Sequence, residues 1–202
     1  LSSLIMLGLA APYLNGVRFS DEQISIFDAW EDRSTYRCGK IFRLLNPNET
    51  VCSIGIKNGE NNVLLLGNSH ADSIKDVFAR SLDKKNLSTY FYVSNNPLMS
   101  EQTRAEFIAN DVYRLDIDRV VVHYSNGFYS KESHIEQLAK FIDLMRSQTV
   151  DVIFISQVPT YEYHVPKLLY QKTIDPSIKI RTQSIQEYFD KKNDYRDLIQ
   201  WH

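Results

Sequence analysis

The chain has 202 residues, 43% of them hydrophobic and 24% charged, with a formal net charge of −2. That is room for one ordinary globular core, and it excludes disordered, collagen-like and coiled-coil classes. A pI near 6.2 supplies no global field that would gather a polyanion, so no nucleic-acid partner is expected.

In chain order, Leu1 to Leu14 (LSSLIMLGLAAPYL) is apolar, uncharged and broken by Pro12. It is shorter than the roughly 20 apolar residues a bilayer span needs. Residues 1–14 are expected to be the tail of a membrane span that begins before Leu1; an apolar helix tucked against the domain is the alternative. Residues 15–60 precede the first core strand and read as an extension that carries Cys38 and Cys52. These two form no Cys-x-x-Cys pair and have no histidine at zinc-ligand spacing, so no metal and no cofactor are expected. Two readings stay open. They are buried free thiols, or they form a disulfide worth about 3 kcal/mol that requires an oxidising compartment.

From residue 61 to 202 the pattern changes to alternating strands and helices. Val63–Leu66, Thr89–Val93, Arg119–Tyr124 and Val150–Ser156 are rich in β-branched and aromatic residues. The first, third and fourth are nearly continuous in apolar character, as strands buried on both faces of a parallel sheet are. Between them, Asp72–Leu82 sets Ile74, Val77, Phe78 and Leu82 on one helical face, and Glu132–Ser147 does so with Ile135, Leu138, Ile142 and Met145. The alternation predicts a three-layer α/β/α sandwich around a parallel sheet. Lys179–His202 is charged and helix-compatible, the kind of helix that delivers a chain into a further strand. The last strand of the sheet is therefore expected to be missing from this chain.

The strongest local signal is Val63–Phe78, VLLLGNSHADSIKDVF, where an apolar strand runs into Gly67-Asn68-Ser69-His70 and a helix starts at once. Such a corner lies at the carboxyl end of a parallel sheet, where these folds place ligands. A serine hydroxyl projecting there, with its own N–H at the positive end of a helix, suits a nucleophile whose attack creates an oxyanion. Gly67 permits a tight approach or a positive φ before it. The plainer alternative is that Asn68 or Ser69 merely caps the helix. The turn is not a Gly-x-Ser-x-Gly elbow, since residue 71 is Ala, and a single glycine makes no phosphate loop.

Gly67-Asn68-Ser69-His70-Ala71 resembles the Gly-Asp-Ser-His-Ala block of SGNH-type hydrolase domains, specifically those fused behind the membrane acyltransferase-three domain of bacterial surface-polysaccharide O-acetyltransferases. The order of the remaining features is similar: an apolar span end, Cys38 and Cys52 before the serine block, a loop like Ser94-Asn95-Asn96-Pro97-Leu98, and Val158-Pro159 followed by Val165-Pro166. The resemblance covers essentially the whole chain. It implies an SGNH/flavodoxin-like fold, Ser69 as the catalytic nucleophile, and Gly67, Asn68, Asn96 and Asn126 around the oxyanion. It departs in having Asn68 for the usual Asp, and no glycine in Ser94–Ser100 to lend an oxyanion N–H, for which the Asn95 or Asn96 backbone is the substitute. Asn126, in HYSNGFY, stands for the third-block asparagine or is an ordinary Asn-Gly turn.

The family's Asp-x-x-His block, which supplies the base, has no match here. His70 belongs to the serine block, His123 is expected to pack within a strand, and His134 is expected on the charged side of its helix. His164 can line the cleft but has no acid in the right relation to it. His202 has Asp197 five positions before it instead of three. The catalytic Asp and His are expected beyond this chain, which would leave it inactive by itself.

The resemblance thus implies acyl transfer through a serine ester onto a polysaccharide hydroxyl, with acetyl the normal group and water turning the domain into an esterase. It implies a membrane acyltransferase partner domain before Leu1 and a periplasmic, membrane-anchored location in a bacterial envelope, with O-antigen among the acceptors. A second hypothesis is a non-catalytic carbohydrate-binding or docking module, with Tyr124, Phe128, Tyr129, Tyr161 and Tyr163 stacking on sugar rings. A flavodoxin-like nucleotide binder is a third, and lacks the phosphate-binding glycines it would need.

Overall fold

The computed structural model describes residues 18–31, 34–94, 96–156, 161 and 163–190. The chain divides into two compact units: residues 34–158 with 189–202, and residues 1–33 with 159–188. The first helix, α1 (Asp21–Glu31), belongs to the latter. It opens on a reciprocal cap in which the Ser20 hydroxyl accepts from the Gln23 N–H at 3.3 Å and the Gln23 side chain accepts from the Ser20 N–H at 3.1 Å.

The sheet-bearing unit starts with a 3-10 turn, Tyr36–Cys38, and a short helix α2 (Lys40–Leu45). Strand β1 (Val51–Ser53) follows, then β2 (Asn62–Gly67), α3 (Ser69–Asp83) and β3 (Ser88–Tyr92). After a 3-10 turn come α4 (Ala105–Arg114), β4 (Arg119–His123), α5 (Asn126–Tyr129), α6 (Glu132–Ser147) and β5 (Asp151–Phe154). The sheet order is β1-β3-β2-β4-β5. Strands β2 to β5 run parallel, in the register Leu65↔Phe91 and Leu65↔Val121, and β1 joins antiparallel to β3.

Alternate residues of the central strands feed opposite faces, as the pleat requires. Leu64, Leu66, Tyr92, Val120 and Val122 pack against Ile108 and Val112 of α4 and Leu138, Phe141 and Met145 of α6. Val63, Leu65, Phe91 and Val121 pack on the other side with Ala71, Ile74 and Phe78 of α3. The result is the expected three-layer α/β/α sandwich. The sequence did not announce β1: its three residues are too short for a periodic signal, and pairing with β3 makes them a strand.

Two side-chain expectations are corrected. Val77, expected on the buried face of α3, is 58% exposed, whereas Lys75 is 1% exposed and Asp72 8%. The reason lies in what α3 covers: the turn at Thr35–Cys38 presents backbone groups that need polar partners. Lys75 Nζ bonds the Thr35 carbonyl and pairs with Asp72 at 3.1 Å. His134, expected on the charged side of α6, is buried at 6% exposure, its Nδ1 3.1 Å from the Phe128 carbonyl and its ring stacked 5.2 Å from Phe128.

In the second unit, α7 (Val165–Ile174) begins with Pro166 in its first turn and His164 as its cap. It packs on α1, where the Phe27 ring contacts Phe19 and Tyr170 at 5.1 and 5.4 Å and Gln23 donates to Thr173 at 2.8 Å. A last helix, α8, spans Ile185–Asp190. No helix among the described residues is long and apolar enough to cross a membrane, and residues 1–14 lie outside them.

Candidate active site

The corner at the end of β2 is built by a close approach of two strands. A Cβ at Gly67 would stand 1.9 Å from the His123 carbonyl oxygen and 2.8 Å from the Ala71 Cβ, so only glycine fits. Of the two roles open to Gly67, tight approach is the one used; its φ is not positive. Asn68 follows in an extended conformation (φ −91, ψ −151) and caps α3.

Ser69 is the first helical residue and is exposed. Its amide is among those at a helix start that have no intrahelical acceptor. Among the described residues its hydroxyl makes no hydrogen bond. An unengaged hydroxyl beside an unengaged N–H at the positive end of a 15-residue helix is chemically suited to attack a carbonyl and hold the oxyanion formed.

Asn68 carries a further job. Its Oδ1 accepts from the His70 N–H at 3.1 Å and from the Ser125 N–H at 3.3 Å, and its Nδ2 donates to the Ser125 hydroxyl at 2.8 Å. The two N–H groups would serve a carboxylate equally well. The amide's extra donor is what requires Ser125, a residue that sequence reasoning passed over. The signal was there: an amide at the usual Asp position needs one more acceptor.

Asn126 opens α5 three residues past the end of β4's ladder and is exposed, as is Asn96 in the loop after β3. The Asn96 N–H points to the Ser94 hydroxyl at 3.3 Å, and its carbonyl accepts from Thr103 Oγ1 at 2.7 Å. Asn95 lies outside the described residues. Ser69, Asn96 and Asn126 thus sit on the segments leaving three neighbouring parallel strands at their carboxyl ends.

His70 is half-buried, and its ring lies 5.9 Å from that of His123. Burial lowers the pKa of His70. His123 is 1% exposed, packed as expected, with Nδ1 3.2 Å from the Ile155 carbonyl. Burial lowers its pKa too, against the Ile155 bond and with a small push from His70. Facing a carbonyl, the His123 Nδ1 is the protonated nitrogen. His164 is occupied differently: its Nδ1 accepts the Lys167 N–H at 3.2 Å as the α7 cap. His202 lies outside the described residues, as do Val158 and Pro159.

The proposed sugar-stacking aromatics do not form an exposed set. Tyr124 and Phe128 are fully buried and stacked at 3.8 Å, because the end of β4 turns them into the α4–α6 core. The Tyr124 hydroxyl donates to the Pro97 carbonyl at 2.8 Å. Tyr161 and Tyr163 belong to the other unit, their rings 5.7 Å apart.

Cys38 and Cys52 are joined as a disulfide with Cα atoms 6.6 Å apart, which settles the choice left open by the sequence. No group of three or more His, Cys, Asp or Glu side chains among the described residues could hold a metal ion.

A mostly parallel α/β sheet with a serine at a strand-to-helix corner defines the class. The family model described as "SGNH domain (fused to AT3 domains)" matches residues 37–200, and the chain belongs to that family. No curated protein matches it. Family membership makes the chain a module of hydrolase or acyltransferase type and points to a membrane acyltransferase domain as its partner.

Proposed function

We propose that this chain is the extracytoplasmic domain of a serine-dependent O-acyltransferase that passes an acyl group, acetyl by preference, onto a hydroxyl of a cell-surface polysaccharide. The observation that carries the reading is the presentation of Ser69: exposed, with a hydroxyl that makes no hydrogen bond among the described residues, at the first turn of α3. In this mechanism Ser69 Oγ attacks the acyl carbonyl and its proton passes to a histidine base. The Ser69 N–H stabilises the oxyanion, assisted by donors from the Asn96 and Asn126 segments. Collapse of the tetrahedral species expels the donor's leaving group, which takes the proton back from the base, and leaves the serine ester. The sugar hydroxyl then attacks that ester, giving its proton to the base; the second tetrahedral species breaks its bond to Ser69 Oγ, the base returns the proton to that oxygen, and Ser69 is regenerated. No histidine among the described residues is hydrogen-bonded to Ser69.

A periplasmic site fits the Cys38–Cys52 disulfide, which persists in oxidising compartments. The test uses the full-length gene product with a fluorophosphonate probe and p-nitrophenyl acetate. Wild type is expected to label and to hydrolyse the ester, and Ser69→Ala to lose both with an unchanged Tm, since the side chain is exposed and makes no bond among the described residues. Labelling that persists in Ser69→Ala would refute the assignment. No labelling of wild type would favour the carbohydrate-binding module.

A further inference from the structure

Arg37 is a full positive charge at 2% exposure, in a turn that the reaction outlined above leaves unused. Its main-chain N–H donates to Asp72 Oδ1 at 3.2 Å, and Asp72 sits three residues after Ser69 in the first turn of α3. Its guanidinium Nη1 donates to the carbonyl of Ser94, on the loop that leaves β3. The same guanidinium lies 5.7 Å over the Phe91 ring. One residue therefore joins the helix that presents Ser69 to the loop that carries Asn96.

The backbone has been bent to achieve this. Arg37 and Cys38 have φ of 47 and 62, a left-handed region that is unfavourable for a non-glycine residue. The disulfide from Cys38 to Cys52 of β1 holds the turn in place. Across the sheet, Tyr124 fixes the same loop through Pro97, and Thr103 fixes Asn96. The loop is thus held on both sides, by directional bonds to its carbonyls.

Packing alone does not call for this. Burying a guanidinium is expensive, and an apolar side chain of similar volume would fill the space at no such cost. What the guanidinium adds is a directed donor to a main-chain oxygen. We propose that Arg37 is a positioning residue, which by bridging Asp72 of α3 and the Ser94 carbonyl sets the distance between Ser69 and the Asn96 loop. The idea rests on the acyl-transfer reading, in which an oxyanion donor must sit within a fraction of an ångström of its place.

The experiment compares Arg37→Met and Arg37→Lys with wild type in the full-length gene product. Its readouts are kcat and KM for p-nitrophenyl acetate, and amide hydrogen exchange across Asn96–Thr103. For Arg37→Met, kcat is expected to fall about 10- to 100-fold with KM within about twofold, as for a misplaced catalytic group. Exchange across Asn96–Thr103 should quicken. Arg37→Lys, which keeps a charged donor, should recover part of the rate. Wild-type kcat and exchange in Arg37→Met, whatever its Tm, would overturn the proposal; so would Arg37→Lys no better than Arg37→Met. If Arg37→Met fails to fold, Arg37→Lys decides: a lower kcat with faster loop exchange supports the bridge, and wild-type values of both refute it. Failure of both variants to fold would also refute it, by making Arg37 a folding residue. If wild-type hydrolysis does not depend on Ser69, the acyl-transfer reading falls, and exchange still reports whether Arg37 holds the loop.

Discussion

Asn68 shows how one atom's change of chemistry is absorbed. Its Oδ1 gathers the His70 and Ser125 amides, which a carboxylate oxygen could accept unchanged. Its Nδ2 gives a proton to the Ser125 hydroxyl, and that hydroxyl can rotate to donate instead. Asn68→Asp should therefore alter stability by less than about 1 kcal/mol, whereas Asn68→Ala, which removes the cap, should cost about 1–2 kcal/mol. Ser125→Ala should hurt the Asn68→Asp background more than wild type, because the bond it removes there is to a charged carboxylate. Urea unfolding of the four proteins checks this, and equal losses in both backgrounds would remove Ser125 from the argument. None of this was legible as a contact in the sequence, since Ser125 is 57 positions from Asn68.

At the scale of elements, the strands and the two long helices were readable because burial on both faces leaves long apolar runs, and because a 3.6-residue period survives in α6. The exposure of Val77 and burial of Lys75 were not readable. Which side of α3 is covered depends on the turn at Thr35–Cys38, brought there by the bond from Cys38 to β1. That turn is also where an element-scale prediction falls. Reduction of Cys38–Cys52 frees a closed loop of this size and should cost about 3 kcal/mol, lowering Tm by roughly 6–12 °C. Thermal unfolding with and without a reductant measures it, with the Cys38→Ser, Cys52→Ser double variant as the control. An unchanged Tm on complete reduction would mean that Arg37, Asp72 and Lys75 hold the turn without the bond.

For the molecule as a whole, His70 and His123 link stability to pH. Burial lowers both pKa values, so in the folded chain the imidazoles stay neutral at a pH where the unfolded chain, near the ordinary value of about 6.5, takes up protons. The unfolded state then binds more protons, and stability falls as the pH drops through about 6.5 towards the folded-state values. Tm should be lower at pH about 5.5 than at about 7.5, and His123→Gln should narrow the gap. A gap of the same size in His123→Gln would assign the linkage to other groups. By itself the sequence determined the sandwich, the serine at the strand-to-helix corner and the family, because each is written in local runs: apolar stretches, a five-residue block, short spacings. Only the tertiary structure decided that Gly67 is needed for a strand–strand approach, that Tyr124 belongs to the core, that Cys38 and Cys52 are bonded, and that Arg37 reaches Ser94. Those depend on residues far apart in the chain whose meeting is set by how the layers stack, and no local pattern encodes that distance.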